Sequence, residues 1–84
     1  MAAKVVLLGR LEDVAGVNEW PLTGDGPWSW AQVLAALPRN LADAVQEPRI
    51  KVAINGTLLS DKLRLIVASG DELAFLPPVS GGGA

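Results

Sequence analysis

Apolar residues are spaced in three ways along the chain, and each spacing predicts a different element. Val5, Val6, Leu7 and Leu8 form an unbroken run that starts at Lys4 and stops at Gly9. A short continuous run predicts a strand covered on both faces, as in the middle of a sheet. From Arg49 to Ile54 the pattern alternates. Ile50, Val52 and Ile54 share one side, and Lys51 and Ala53 the other, which predicts a strand with one wetter face. Trp30, Val33, Leu34 and Leu37 recur at i, i+3, i+4 and i+7, a helical stripe. Ser29 precedes that stripe and Gln32 follows three residues later, completing a capping box, and Pro38 stops the helix.

Weaker signals fill the gaps. Leu11 to Gly16 fits a turn of helix or a loop. Val17 to Leu22 reads as an edge strand, because Pro21 has no N–H to donate to a ladder. Thr23 to Pro27 is a loop by composition. A second short helix is predicted over 40–46, with Asn40 as its cap and Leu41, Ala44 and Val45 facing inward. Asn55-Gly56 is the strongest hairpin signal, since both residues tolerate the positive φ of a type I′ turn. Thr57 to Leu59 returns, Ser60-Asp61 turns again, and Leu63 to Val67 is ambiguous. Glu72 to Leu76 is the last strand, ended by Pro77-Pro78.

The first and last strands are the most apolar, so they are expected side by side and parallel at the sheet centre. One main helix covers one face. The fold class is therefore α+β, a small mixed sheet of the β-grasp type. Residues 1–78 form the domain, and 79–84 a Gly-rich tail. One helix leaves the opposite face, with Val6, Leu8, Ala74 and Leu76, short of cover. Either the loop over 18–28 folds across it with Trp20 and Trp28, or the face meets a partner.

Composition narrows the chemistry. The chain has 84 residues, half of them apolar and 19% charged, which describes one folded domain without room for a large cleft. It has no Cys and no His. Disulfides, thiol nucleophiles and Cys-based zinc sites are excluded, and the usual neutral-pH proton shuttle is missing. A net charge of −2 argues against a nucleic-acid partner. No stretch reads as a signal peptide or a membrane span, so a cytoplasmic protein is expected, with no membrane partner. Gly24-x-Gly26 is too short for a dinucleotide fingerprint, and Ser60 and Ser69 have no histidine to activate them. Asp25, Asp43, Asp61 and Asp71 lie singly, as solvated or capping groups do. No metal site is expected.

The stretch Gly70-Asp71-Glu72-Leu73-Ala74-Phe75-Leu76-Pro77-Pro78-Val79-Ser80-Gly81-Gly82 changes this picture. It resembles the ending of the small subunit of molybdopterin synthase, G-D-E-[VL]-A-[FL]-[FL]-P-P-V-x-G-G. Val52-Ala53-Ile54-Asn55-Gly56, Ser29-Trp30-Ala31-Gln32-Val33-Leu34 and Lys4-Val5-Val6-Leu7-Leu8 match further family segments. The resemblance covers nearly the whole chain. The tail motif is specific, the rest is ordinary β-grasp patterning, and the loop from Trp20 to Trp28 has no counterpart.

The resemblance implies a ubiquitin-like sulfur carrier for molybdenum cofactor synthesis. Such carriers present a C-terminal Gly-Gly to a ubiquitin-activating-type adenylyltransferase. ATP is consumed by that partner, and the carrier binds no cofactor. A sulfur donor enzyme then replaces AMP, leaving a thiocarboxylate. The tail enters the synthase large subunit and delivers sulfur to precursor Z. By this resemblance Gly82 is the adenylate and thiocarboxylate site, with Gly81 beside it. Phe75, Pro77, Pro78 and Val79 are the partner-binding residues. Asp71 and Glu72 are acidic groups for a basic partner groove, or simply a solvated turn.

The tail chemistry is consistent with this. A carboxylate is a poor electrophile, and adenylation supplies a leaving group. Glycine lets a terminus thread a narrow channel, where a Cβ would clash. Pro77-Pro78 stiffens the base, so the end projects from the domain. One departure stands out: Gly83-Ala84 follow the expected terminus. A C-terminal protease trims both, or Gly82-Gly83 is the working pair and only Ala84 is removed, or this chain acts without conjugation. Trimming is favoured. The competing readings are a carrier for thiamine or cysteine and an inert β-grasp interaction module. In each the chain is no catalyst alone.

Overall fold

The computed structural model describes residues 2–78. Strand β1 (Ala3–Leu7) is followed by helix α1 (Arg10–Ala15), β2 (Glu19–Leu22), β3 (Trp28–Ser29), α2 (Trp30–Ala36) and α3 (Arg39–Val45). Then come β4 (Lys51–Ile54), β5 (Thr57–Leu58), a 3₁₀ turn (Lys62–Arg64), β6 (Ile66–Val67) and β7 (Glu72–Leu76). Five strands form one sheet in the order β2-β1-β7-β4-β5. The chain's first and last strands pair in parallel at its centre, Lys4 opposite Glu72 through Leu7 opposite Phe75. The other pairings are antiparallel, and β2 is an edge, as Pro21 requires. This is the β-grasp architecture.

Local chemistry accounts for most elements. Ser29 accepts from the Gln32 amide and Gln32 returns a bond to the Ser29 N–H, so the capping box at α2 is complete. Asn55 and Gly56 take φ of 51° and 84°, and Ile54 then pairs with Thr57 across a two-residue turn. The Asn55 side chain is also used. It donates to Asp71 Oδ1 at 2.9 Å and accepts from the Glu72 amide at 3.0 Å, which clips the hairpin to the start of β7. Lys62 closes the opposite side. Its ammonium donates to the carbonyls of Val45, Glu47 and Ile50 and stands 5.7 Å from the centre of the Trp30 ring. It therefore satisfies carbonyls where α3 ends, a place rich in orphan acceptors. Desolvation pulls its pKa below the ordinary lysine value.

Three expectations need correction. Three short helices, rather than one main helix, share the covered face: Leu11 of α1, Val33 of α2, and Leu41 and Val45 of α3 all enter one core. The second of the predicted helices is capped by Pro38, not Asn40. Asn40 lies inside it and donates to the Val14 carbonyl at 3.0 Å, tying α3 to α1. The loop over 18–28 does not cross the opposite face. Trp20 donates to the Ala36 carbonyl at 2.9 Å and Trp28 is buried in the core, so both rings lie on the helix side. The ambiguous stretch 63–67 supplies β6, which pairs with β3 as a separate two-stranded ladder.

Candidate functional site

Strand alternation gives the sheet two faces. Val5, Leu7, Val52, Leu73 and Phe75 point into the helix-covered core and are fully buried. Their neighbours face the other way. Register places Glu19, Val6, Ala74, Ala53 and Leu58 in one row across this open face. Leu76 lies opposite Lys51 in the adjacent row toward the C-terminal end of β7. Val6, Ala74 and Leu76 are half-buried, whereas Leu58 is 61% exposed and Leu8 42% exposed. No helix comes near this side, so the expectation of a central strand covered on both faces is not met. Ala53 is buried within this row and Leu58 is its exposed end, so the apolar surface open to a partner runs from half-buried Val6 and Ala74 to Leu58.

The tail begins at the edge of that face. Central strand β7 delivers the chain to Pro77 and Pro78, both half-buried. Neither can donate a backbone hydrogen bond, so the ladder ends there. Beside them an open hollow of about 510 Å³ is lined by Pro48, Arg49, Lys51, Leu58, Leu76, Pro77 and Pro78. Its floor is apolar and its rim carries two cations. The hollow therefore suits an apolar side chain with an acidic neighbour.

The expected site residues divide sharply. Pro77 and Pro78 sit at this exit and line the hollow. Phe75 does not. It is fully buried and meets the Trp30 ring edge-on at 6.1 Å between centroids, so it holds β7 to the helix layer and is no surface contact. Val79, Gly81, Gly82, Gly83 and Ala84 lie outside the described residues. Leu58, Arg49 and Lys51 are the residues that sequence reasoning missed. Leu58 was within reach: a two-residue Asn55-Gly56 turn forces Leu58 opposite Ala53, onto the open face.

Asp71 closes the turn before β7, and Glu72 is the first residue of that strand. Asp71 accepts from the Ala68 amide and from Asn55, both at 2.9 Å, and these bonds hold its carboxyl below the ordinary value. Lys4 stands 3.4 Å from Glu19 and 3.6 Å from Glu72, and its hydrogen bond to Glu19 raises its pKa. All three side chains are about half exposed, so the pairs are weak. Among the described residues no group of three or more acidic, His or Cys side chains could hold a metal ion. No helix among them is long and apolar enough to cross a membrane.

Known proteins share this arrangement. A family model described as the ThiS family matches residues 5–82. The molybdopterin synthase sulfur carrier subunit of Escherichia coli K12 is 33% identical over 81 residues, spanning 94% of this chain and 98% of its own length. The subunit of the same name from Chlamydomonas reinhardtii is 35% identical over 86 residues, spanning 98% of this chain and all of its own. Among solved structures, SAMP1 from Haloferax volcanii superimposes with a TM-score of 0.74 at 30% identity, covering 98% of this chain and all of its own.

Proposed function

The chain belongs to the ThiS family, and from that premise we propose that it is the sulfur carrier subunit of a molybdopterin synthase, working in the cytoplasm. Its own contribution is a reactant, not a catalytic group. The Gly82 carboxylate attacks the α-phosphorus of ATP in a ubiquitin-activating-type adenylyltransferase. Pyrophosphate leaves and an acyl adenylate forms. A sulfur donor enzyme supplies sulfur at the sulfide level, the C–O bond to AMP breaks, and the terminus becomes a thiocarboxylate. No thiol of the carrier takes part, consistent with a chain that has no Cys.

The observation that carries this reading is the extent of the family match, which spans residues 5–82 and so ends at Gly82. Gly83-Ala84 then lie beyond the reactive position, and a C-terminal protease removes them before activation. The geometry supports a docking role for the open face. Its apolar row leads from Leu58 through Ala53 and Ala74 to Val6, alongside the exit at Pro77, so a large subunit that covers the row also receives the tail.

The test is genetic and chemical together. A chain ending at Gly82 should restore molybdenum cofactor synthesis to a strain that lacks its carrier, and deletion of Gly82 should abolish it. Intact mass of the active protein should show a species ending at Gly82, part of it with one oxygen replaced by sulfur. Restoration by the chain lacking Gly82 would overturn the reading.

A further inference from the structure

The β1–α1 turn reaches the base of the tail from a distant part of the sequence. Leu7 pairs with Phe75 in the parallel ladder, so the two strands end side by side. Two residues further, Gly9 meets Pro77. A Cβ built on Gly9 would stand 3.3 Å from Pro77 Cγ. Gly9 has φ 55° and ψ −132°, a conformation that an L side chain rarely adopts. The turn is also anchored: the Gly9 carbonyl accepts from the Glu12 amide at 3.1 Å, opening α1. Arg10 Nη2 lies 3.6 Å from Glu47 Oε2, which ties this turn to the segment that enters β4. That segment carries Pro48 and Arg49, which line the hollow beside Pro77 and Pro78.

Pro77 and Pro78 have no N–H, so donated ladder bonds cannot hold them; packing must. Resting on the sulfur-carrier reading, we propose that Gly9 is a positioning residue: its bare Cα seats Pro77 and sets the direction in which the chain leaves the sheet toward Gly82. Gly82 is five residues beyond Pro77, about 17 Å at full extension. Pro77 is thus where the sheet last sets the direction of the chain before a reactive end that must be brought within reach of its target. Adding a methyl at Gly9 both strains the turn and pushes Pro77. The open-face row from Val6 to Leu58 is formed by other residues.

Gly16 supplies the control. It closes α1 with φ +77°, and a Cβ added there would meet nothing within 4 Å, so Gly16→Ala carries backbone strain without a contact to the tail. The experiment compares Gly9→Ala, Gly16→Ala and the parent, all ending at Gly82, with Ser80→Cys as the one thiol for a spin label. Paramagnetic broadening of the Leu8, Arg49, Lys51 and Leu58 amides reads the exit direction. Pyrophosphate exchange with ATP and the adenylyltransferase, on unlabelled chains, reads the consequence. Gly9→Ala should redistribute the broadening and lower kcat about tenfold, with KM for the carrier within about twofold. Gly16→Ala should do neither. An unchanged broadening pattern in Gly9→Ala, or the same changes in both variants, would overturn the proposal. If the parent chain itself supports no exchange, the sulfur-carrier reading fails, and the broadening pattern alone still decides the role of Gly9.

Discussion

The two faces of one sheet are built from alternate residues of the same strands, yet they have opposite fates. On β7, Leu73 and Phe75 are sealed under three helices, while Ala74 and Leu76 stay half in water. On β1, Val5 and Leu7 are buried and Val6 is not, nor is Leu8 just beyond the strand. The covered side is the more apolar, since Lys4, Glu19, Lys51 and Glu72 share the open side with Val6, Ala74 and Leu76. Connectivity points the same way. The helices lie between the two parallel central strands, and the favoured right-handed crossover puts such a connection on one side of a sheet. One face holds the domain together, and the other stays outside the helix layer.

The strongest way to break that division is Phe75→Ala. If Phe75 serves the covered face alone, the change should cost about 3–5 kcal/mol, a large share of the roughly 5–15 kcal/mol that a domain has to lose. Denaturant titration checks it, and a variant as stable as the parent would return Phe75 to the surface. Leu58→Asp sharpens the contrast from the open side. Stability should shift by no more than about 0.5 kcal/mol, while affinity for the synthase large subunit should fall about tenfold or more. Calorimetric titration with the purified partner reads the second effect. The smallest effect belongs to the end of the sheet far from the tail. The folded pKa of Asp71 is depressed, so its bonds to Ala68 and Asn55 stabilise the ionised form. That stabilisation is present above the unfolded value of 3.8 and is lost as pH falls through the lower folded value. The gap in melting temperature between the parent and Asp71→Asn should therefore narrow below about pH 4, and a gap that stays constant through that window would show that the carboxylate does not matter.

Short-range signals were legible. Ser29 and Gln32 lie within one turn and complete their box, and Asn55-Gly56 alone specifies its hairpin. The parallel pairing of the chain ends followed from two apolar runs that needed the middle of a sheet. Features made by distant residues were not legible. The Trp28-Ser29 ladder with Ile66-Val67 is two residues long, too short for a period of two to show. Lys62 reads as a surface charge until α3 brings three carbonyls to it. Phe75 sits inside the tail motif, and motif membership says nothing about which side of a strand a residue faces. Of the exit, Pro77 and Pro78 could be read directly. Gly9 looked like a strand terminator, because its role depends on a neighbour 68 positions away.

The parallel pairing of β1 with β7 also bears on synthesis. A nascent chain cannot close its core until the last strand has cleared the ribosome, since β7 supplies the middle of the sheet. The pairings of β1 and β4 with β7 must wait for that strand, as expected where sequence-distant pairings dominate. A chain that lacks β7 or fails to fold it in therefore has neither a closed sheet centre nor the exit at Pro77 and Pro78.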